Sequence, residues 1–104
     1  MTLRTLEILS EPKGFLMRYD ADWMSRADDR ILEHLSEEGP DTPKEMADSG
    51  RVRFTRQHIN QRCKKLVNYG LLVHLGNGVY DTTENGVQYL VGELDAATLE
   101  GLGE

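Results

Sequence analysis

The sequence has one cysteine, three histidines and no long apolar run. One cysteine excludes an internal disulfide, and the histidines do not lie at a metal-binding spacing from it or from one another. No segment approaches the ~20 apolar residues of a membrane-spanning helix, and the first residues lack the apolar core of a signal peptide. No nucleophile lies beside an orienting base, and there is no glycine-rich phosphate loop. We therefore expect a cytoplasmic protein that is not an enzyme and that binds neither a metal nor another cofactor.

Acidic residues predominate over the whole chain but are missing from its middle. The 104 residues fit one domain and include 18 acidic and 12 basic residues, a net charge of -6. Such an excess of carboxylates is expected of a protein that stays soluble in concentrated salt, which indicates a halophilic protein. Between Asp48 and Asp81 there is no acidic residue, whereas half of the basic residues lie there: Arg51, Arg53, Arg56, Arg62, Lys64 and Lys65. A local charge opposite to the charge of the whole chain predicts contact with nucleic acid.

The same basic segment has the pattern of an amphipathic helix. Thr55 is a suitable N-cap and Gly70 is well placed at the C′ position. One face would be an apolar stripe of Ile59, Cys63, Leu66 and Val67. The opposite face would hold amides and cations without an acid: Gln57, Gln61, Lys64 and Asn68, with Asn60 and Lys65 beside them. Amides can pair with adenine and cations with guanine or phosphate, so this face suits a DNA major groove, provided that no carboxylate from elsewhere neutralises it.

Two further helices are predicted before this one. Ser25 can cap a helix that Gly39-Pro40 ends, with Ile31, Leu32 and Leu35 facing inward. Thr42 at the N-cap, Pro43 at the first helical position and Glu45 at the third form a capping box, which predicts a short helix ending at Ser49-Gly50. A short capped helix, a turn and a longer basic helix form the helix-turn-helix pattern.

A hairpin and a last helix follow. Residues 71–75 and 79–81 read as strands joined at Asn77-Gly78, a strong signal for a tight turn. This hairpin is predicted to be a wing, although it has no Lys or Arg. The last helix would carry an apolar stripe of Val87, Leu90, Val91 and Leu94. This stripe is equally compatible with closing the core and with pairing to a second copy of the chain.

The two ends of the chain have weaker patterns. We expect an N-terminal extension over residues 1–21, the folded domain over residues 22–95, and an acidic tail that frays over residues 96–104. Met17 is an alternative start of translation, which would leave the first sixteen residues out of the natural protein.

These segments together resemble the winged helix-turn-helix transcription regulators, in particular the small haloarchaeal winged-helix proteins similar to the phage phi-H repressor. The resemblance runs from Asp22 to about Leu94, about two thirds of the chain, with Cys63 where Leu is usual. It is carried by DWMSRADDRILEHLSEEG, DTPKEMA, FTRQHINQRCKKLVNYGLL and GNGVYDTTENGVQYL. It implies an α+β fold of three helices, a two-stranded wing and an additional C-terminal helix. It also implies a homodimer that binds double-stranded DNA. Because no segment looks large enough for an activation or enzymatic domain, we expect a repressor that acts by blocking a promoter.

The resemblance further implies which residues contact DNA. Those nearest the bases would be Thr55, Arg56, Gln57, Asn60 and Gln61. Those nearest the phosphates would be Arg53, Arg62, Lys64 and Lys65. The sequence itself also places Arg51 beside the start of the helix, where it suits a phosphate, and contact from the wing would come from backbone groups, Asn77 or His74. The absence of a basic wing tip departs from the pattern common in winged helices.

Two other functions fit parts of the sequence. A winged-helix module that binds protein instead of DNA would have an apolar face on the helix at 55–69, which the sequence does not predict. A redox sensor would use Cys63, but the position of this thiol on the apolar stripe predicts a buried and unreactive group. An effector ligand is not identifiable from the sequence.

Overall fold

The computed structural model describes residues 17–101. The predictions for residues 1–16, including the alternative start at Met17, and for residues 102–104 of the acidic tail lie outside the described residues. Within it, four helices and a two-stranded antiparallel sheet enclose one hydrophobic core. This arrangement confirms the predicted α+β winged helix-turn-helix. No helix within residues 17–101 is both long and apolar enough to cross a membrane.

Helix α1 comprises Arg26–Glu38 and begins and ends as the sequence predicts. The backbone N–H of Ser25, the N-cap residue, donates to the Asp28 carboxylate at 3.0 Å. Gly39 ends the helix with a φ of 92°, a conformation that favours glycine. Ile31, Leu32 and Leu35 are buried in the core, as expected from their spacing.

Helix α2 comprises Pro43–Ser49. The Thr42 hydroxyl accepts a hydrogen bond from the backbone N–H of Glu45 at 3.1 Å, which confirms Thr42 as the N-cap. The other half of the predicted capping box is not formed, because the backbone N–H of Thr42 donates to the Asp41 carboxylate at 2.9 Å. A nearer carboxylate, one residue before the cap, therefore replaces Glu45 as the acceptor.

Helix α3 comprises Arg56–Asn68 and begins after the predicted cap. The Thr55 hydroxyl accepts from the backbone N–H of His58 at 3.1 Å. Gly70 follows the helix with a φ of 81°, so it takes the predicted C′ position. Ile59, Cys63 and Leu66 are fully buried, and Val67 packs against the same core. The helix contacts α1, α2 and the hairpin, which together fix which of its faces remains outside.

The hairpin consists of β1, Leu72–Gly76, and β2, Val79–Thr82. Gly76 pairs with Val79 across the two-residue turn, where Asn77 has a φ of 56° and Gly78 a φ of 77°. Positive φ at both central residues is the turn conformation that Asn-Gly favours. An additional antiparallel bridge, not predicted from the sequence, joins Tyr80 to Asp41 by backbone hydrogen bonds of 2.9 and 3.1 Å. This bridge ties the wing to the segment between α1 and α2.

Helix α4 comprises Glu84–Leu90, and only part of its predicted apolar stripe is buried. Gly86, Tyr89 and Leu90 are its buried residues, whereas Val87 and Val91 are 42% and 45% exposed. Of the two roles left open for the apolar stripe, closing the core does not apply to these two valines. The physical reason lies at Gly86, where an added Cβ atom would overlap the carbonyl oxygen of Leu71. The helix can approach Leu71 this closely only on the side that carries the glycine, and the two valines lie on another side.

The chain on both sides of the expected domain also packs on the fold. Ala96 is fully buried, and its backbone N–H donates to the carbonyl oxygen of Tyr19 at 2.8 Å. Ala96–Thr98 form a short 3-10 helix that Asp95 caps. Tyr19 and Ala96, which lie outside the expected domain at 22–95, therefore pack on the fold.

Candidate nucleic-acid interface

The outward face of α3 has the composition that the sequence predicts. Arg56, Gln57, Gln61 and Lys64 are exposed, and Asn60 is half-buried. No acidic residue is present in α3 itself. This face combines hydrogen-bond donors and acceptors with positive charge, which are the groups needed to contact base edges and phosphates.

The start of α3 forms one side of an open groove of about 440 Å³. Asn77 and Gly78 of the wing turn form another side, and the start of α2 completes it. The lining residues are Thr42, Pro43, Lys44, Arg56, Gln57, Asn60, Asn77 and Gly78. None of them is acidic. The fold thus brings Asn77 together with three of the predicted base-contacting residues, although the chain separates them by about twenty positions.

The cations near this groove differ in how they are neutralised. Within residues 17–101, Arg53, Arg56 and Lys64 form no ion pair with a carboxylate. Lys44 instead pairs with Asp48 at 2.9 Å, one turn along α2. The Lys65 ammonium lies 5.7 Å from the centre of the Tyr69 ring, within the range of a cation–π contact. The three unpaired cations are the best placed to meet an external anion.

Arg62 has a different role from the one predicted. Its guanidinium donates two hydrogen bonds to the Asp28 carboxylate, at 2.8 and 2.7 Å, and one to the Trp23 carbonyl oxygen at 2.9 Å. The hydrogen bonds to Asp28 raise the pKa of Arg62, while its partial burial opposes this rise. Since Asp28 is completely buried, the positive charge of Arg62 is matched inside the protein. These internal partners argue against the prediction that Arg62 contacts a phosphate.

Arg51 is also neutralised from elsewhere in the fold. Its guanidinium pairs with Glu37 and, at 2.8 Å, with Glu38, both at the end of α1. The sequence placed Arg51 beside the start of α3 as a phosphate contact, but two carboxylates already compensate its charge. A segment that carries six basic residues consequently offers fewer available charges than its composition suggests.

Cys63 lies on the buried face of α3, as predicted. Burial, with a smaller contribution from the Asp28 charge, raises the pKa of its thiol to about 12. Since the thiolate is the reactive form, this environment favours an inert cysteine. Within the described residues, no three His, Cys, Asp or Glu side chains are grouped so that they could hold a metal ion.

Comparison with known proteins assigns this geometry to a family. The family model described as "Winged helix-turn-helix phage repressor" matches residues 17–102. The chain belongs to this winged-helix phage repressor family. It is 34% identical over 90 residues to the repressor protein of Halobacterium phage phiH, covering 81% of this chain and 98% of the phage protein.

A solved structure supports the same family. The crystal structure of the PhiH1 repressor-like protein from Haloarcula marismortui is 44% identical to the chain, with a TM-score of 0.77. The match covers 83% of this chain and 98% of that protein. Membership of the winged-helix phage repressor family supports a DNA-binding regulatory protein rather than an enzyme.

Proposed function

We propose that the protein is a sequence-specific transcriptional repressor that binds double-stranded DNA as a homodimer and inserts α3 into the major groove. The observation that carries this proposal is the groove in which Arg56, Gln57 and Asn60 of α3 lie opposite Asn77 of the wing, with no acidic residue in its lining. A major groove about 12 Å wide accepts a helix of this size. The protein acts by occupying a promoter, which requires only this domain.

Base contacts come from the first half of α3. Thr55, Arg56 and Gln57 lie at its start, and Asn60 and Gln61 follow one turn later. Arg56 can donate two hydrogen bonds to a guanine, and Gln57 or Asn60 can pair with an adenine through both amide atoms. Asn77 contacts the same DNA from the wing turn, where its φ is 56° and its side chain is uncharged.

Phosphate contacts come from Arg53, Lys64 and Lys65. Arg53 precedes the helix and is exposed, and Lys64 lies on its outer face. Lys65 lies beside Tyr69, where its ammonium can still turn toward a phosphate on the flank of the groove. Three such contacts per subunit would give six for a homodimer, which is within the range typical of small repressors.

The exposed side of α4 supports the homodimer. Val87 and Val91 lie one turn apart and are 42% and 45% exposed, although both are apolar. Two copies that pair through this side would cover the valines and present two α3 helices to one duplex. Sedimentation of the full chain in concentrated KCl tests this arrangement. We expect the wild-type chain to be a dimer and Val91→Asp to be a monomer. A wild-type chain that is a monomer at all concentrations would contradict the proposed homodimer.

The test of DNA binding is a selection from a random duplex library with the full chain in KCl, followed by footprinting of the enriched duplex. We expect one motif present as two half-sites with centres about 10 base pairs apart. Equal binding to the enriched duplex and to random duplex would refute sequence-specific recognition. Co-purification from cell extract, run in parallel, would reveal a protein partner if the domain is instead an interaction module.

A further inference from the structure

A buried ion pair joins α3 to α1 on the side away from the groove. Asp28 is completely buried and accepts three hydrogen bonds, two from Arg62 and one from the backbone N–H of Ser25. The Arg62 side chain is 19% exposed. Its third hydrogen bond, to the Trp23 carbonyl oxygen, places the guanidinium between the start of α1 and the residues before it.

An aromatic stack continues this contact to the end of α3. The ring of Trp23 lies 4.0 Å from that of Tyr69 with an angle of 13° between their planes. Tyr69 is the C-cap residue of α3. The carbonyl group and the ring of one residue, Trp23, therefore contact α3 at two places that are two turns apart.

These contacts can control the rotation of α3 about its own axis. At about 100° per residue, Arg62 lies roughly 140° around the helix from Gln57, which faces the groove. Ile59 and Leu66 of α3 pack in the hydrophobic core, and apolar contacts have little directionality. A guanidinium and a carboxylate joined by two parallel hydrogen bonds have one preferred geometry.

We propose that Asp28 and Arg62 are positioning residues, which fix the rotation of α3 so that Arg56, Gln57 and Asn60 are aligned with the base edges. This inference rests on the proposed function. A buried pair of this kind is also screened far less by salt than an exposed one, so it holds the helix at salt concentrations that weaken the phosphate contacts.

The energetics of buried ion pairs separate positioning from simple stabilisation. Replacing a buried pair by apolar side chains of similar size is often neutral or stabilising, because the desolvation of two charges is avoided. Such a replacement therefore keeps the fold while it removes the directional contact. The double variant Asp28→Leu/Arg62→Met makes this replacement, and it also removes the acceptor of the Ser25 backbone N–H and a donor to the Trp23 carbonyl oxygen. Arg62→Lys keeps the charge but loses the planar two-point geometry.

The test measures binding of each full-length variant to the duplex enriched by the wild-type chain and to a random duplex, over a series of KCl concentrations at which the variant is folded. Lys64→Met is the matched control, since it removes an exposed cation two residues away. We expect the double variant to remain folded in concentrated KCl, but to lose about tenfold in the ratio of specific to non-specific affinity, the effect of misaligning one base contact.

The salt dependence supplies the second readout. Lys64→Met should make the negative slope of log affinity against log salt less steep by about 0.9, whereas the double variant and Arg62→Lys should leave this slope unchanged. Wild-type selectivity in the folded double variant would overturn the proposal, as would a slope reduced as in Lys64→Met. If the double variant does not fold, Arg62→Lys decides, since unchanged selectivity there would also overturn it. A wild-type chain without any preference for the enriched duplex would instead contradict the proposed function itself.

Discussion

Arg51 and Arg53 lie two residues apart before α3, but the structure predicts different roles for them in DNA binding. Arg51 is 45% exposed and is paired with Glu37 and Glu38, whose side chains are 33% and 50% exposed. Arg53 forms no ion pair with a carboxylate in the part of the chain that is described. The variants Arg51→Ala and Arg53→Ala therefore compare a neutralised with an available cation in the same short segment.

The size of the difference follows from the release of counterions. One phosphate contact contributes about 0.9 to the slope of log affinity against log salt, so a tenfold increase in salt costs about eightfold in affinity for each contact. Arg53→Ala should lower this slope by about 0.9. Arg51→Ala should leave the slope unchanged, and it should change the free energy of unfolding little, because exposed ion pairs contribute only about 0–1 kcal/mol.

Fluorescence anisotropy with a labelled duplex at several KCl concentrations provides the assay. The variant Glu37→Gln/Glu38→Gln offers a further comparison, because it frees Arg51 and should raise the slope. An equal loss of slope in Arg51→Ala and Arg53→Ala would refute the reasoning. That result would mean that Arg51 leaves its two carboxylates when DNA binds.

Three further predictions follow from single residues. Burial raises the pKa of the Cys63 thiol to about 12, which lowers its thiolate fraction at neutral pH by more than three orders of magnitude relative to an ordinary thiol near 8.5, so labelling by a thiol reagent should be limited by unfolding. Rapid labelling of the folded protein would contradict this prediction. The unfolded chain loses the thiol proton at a lower pH than the folded chain, so the contribution of Cys63 to stability is complete below about pH 9 and is lost as the pH rises toward 12. Gly86→Ala should lower the free energy of unfolding by about 1–3 kcal/mol despite the better helix propensity of alanine, because the added Cβ overlaps the Leu71 carbonyl oxygen and lies 3.3 Å from the side chain of Leu32. Denaturant unfolding measures this change, with exposed Asn85→Ala in the same helix as the control, and a more stable Gly86→Ala would show that α4 moves away freely. Gln57→Ala should cost about 1–3 kcal/mol on the enriched duplex and relax the preference at one base pair, while Lys65→Ala should weaken all duplexes alike; competition binding with single-base variants distinguishes the two, and a uniform loss in Gln57→Ala would exclude a base contact.

The sequence predicts those elements whose limits depend on local chemistry. Thr42 and Thr55 cap the helices that follow them, and Gly39 and Gly70 end the helices before them. The turn at Asn77 is equally local, since its conformation depends on the two residues that form it. Caps and tight turns involve residues within a few positions of one another, so one sequence suffices to find them.

The rotation of α4 could not be predicted in this way. The spacing of Val87, Leu90 and Val91 fits an inward stripe, but the side that faces the core is decided by the close approach of Gly86 to Leu71, fifteen residues earlier. Tyr89 also faces inward, where its hydroxyl donates to Asp29 at 2.7 Å. Burial and this hydrogen bond raise the pKa of the Tyr89 hydroxyl, which therefore remains a donor to Asp29. A periodic pattern therefore predicts that a helix forms, but it does not predict which part of the fold the helix packs against.

The same distinction applies to charge and alters the interpretation of the acidic composition. Five acidic residues of α1 have partners within the fold. Asp28 binds Arg62, Asp29 accepts from Tyr89, Glu33 binds Arg18 and Arg30, and Glu37 and Glu38 bind Arg51. These carboxylates do not simply hydrate the surface, as the composition alone suggests for a halophilic protein. They determine which cations remain available, so the charge that α3 and the residues before it would offer to DNA depends partly on α1.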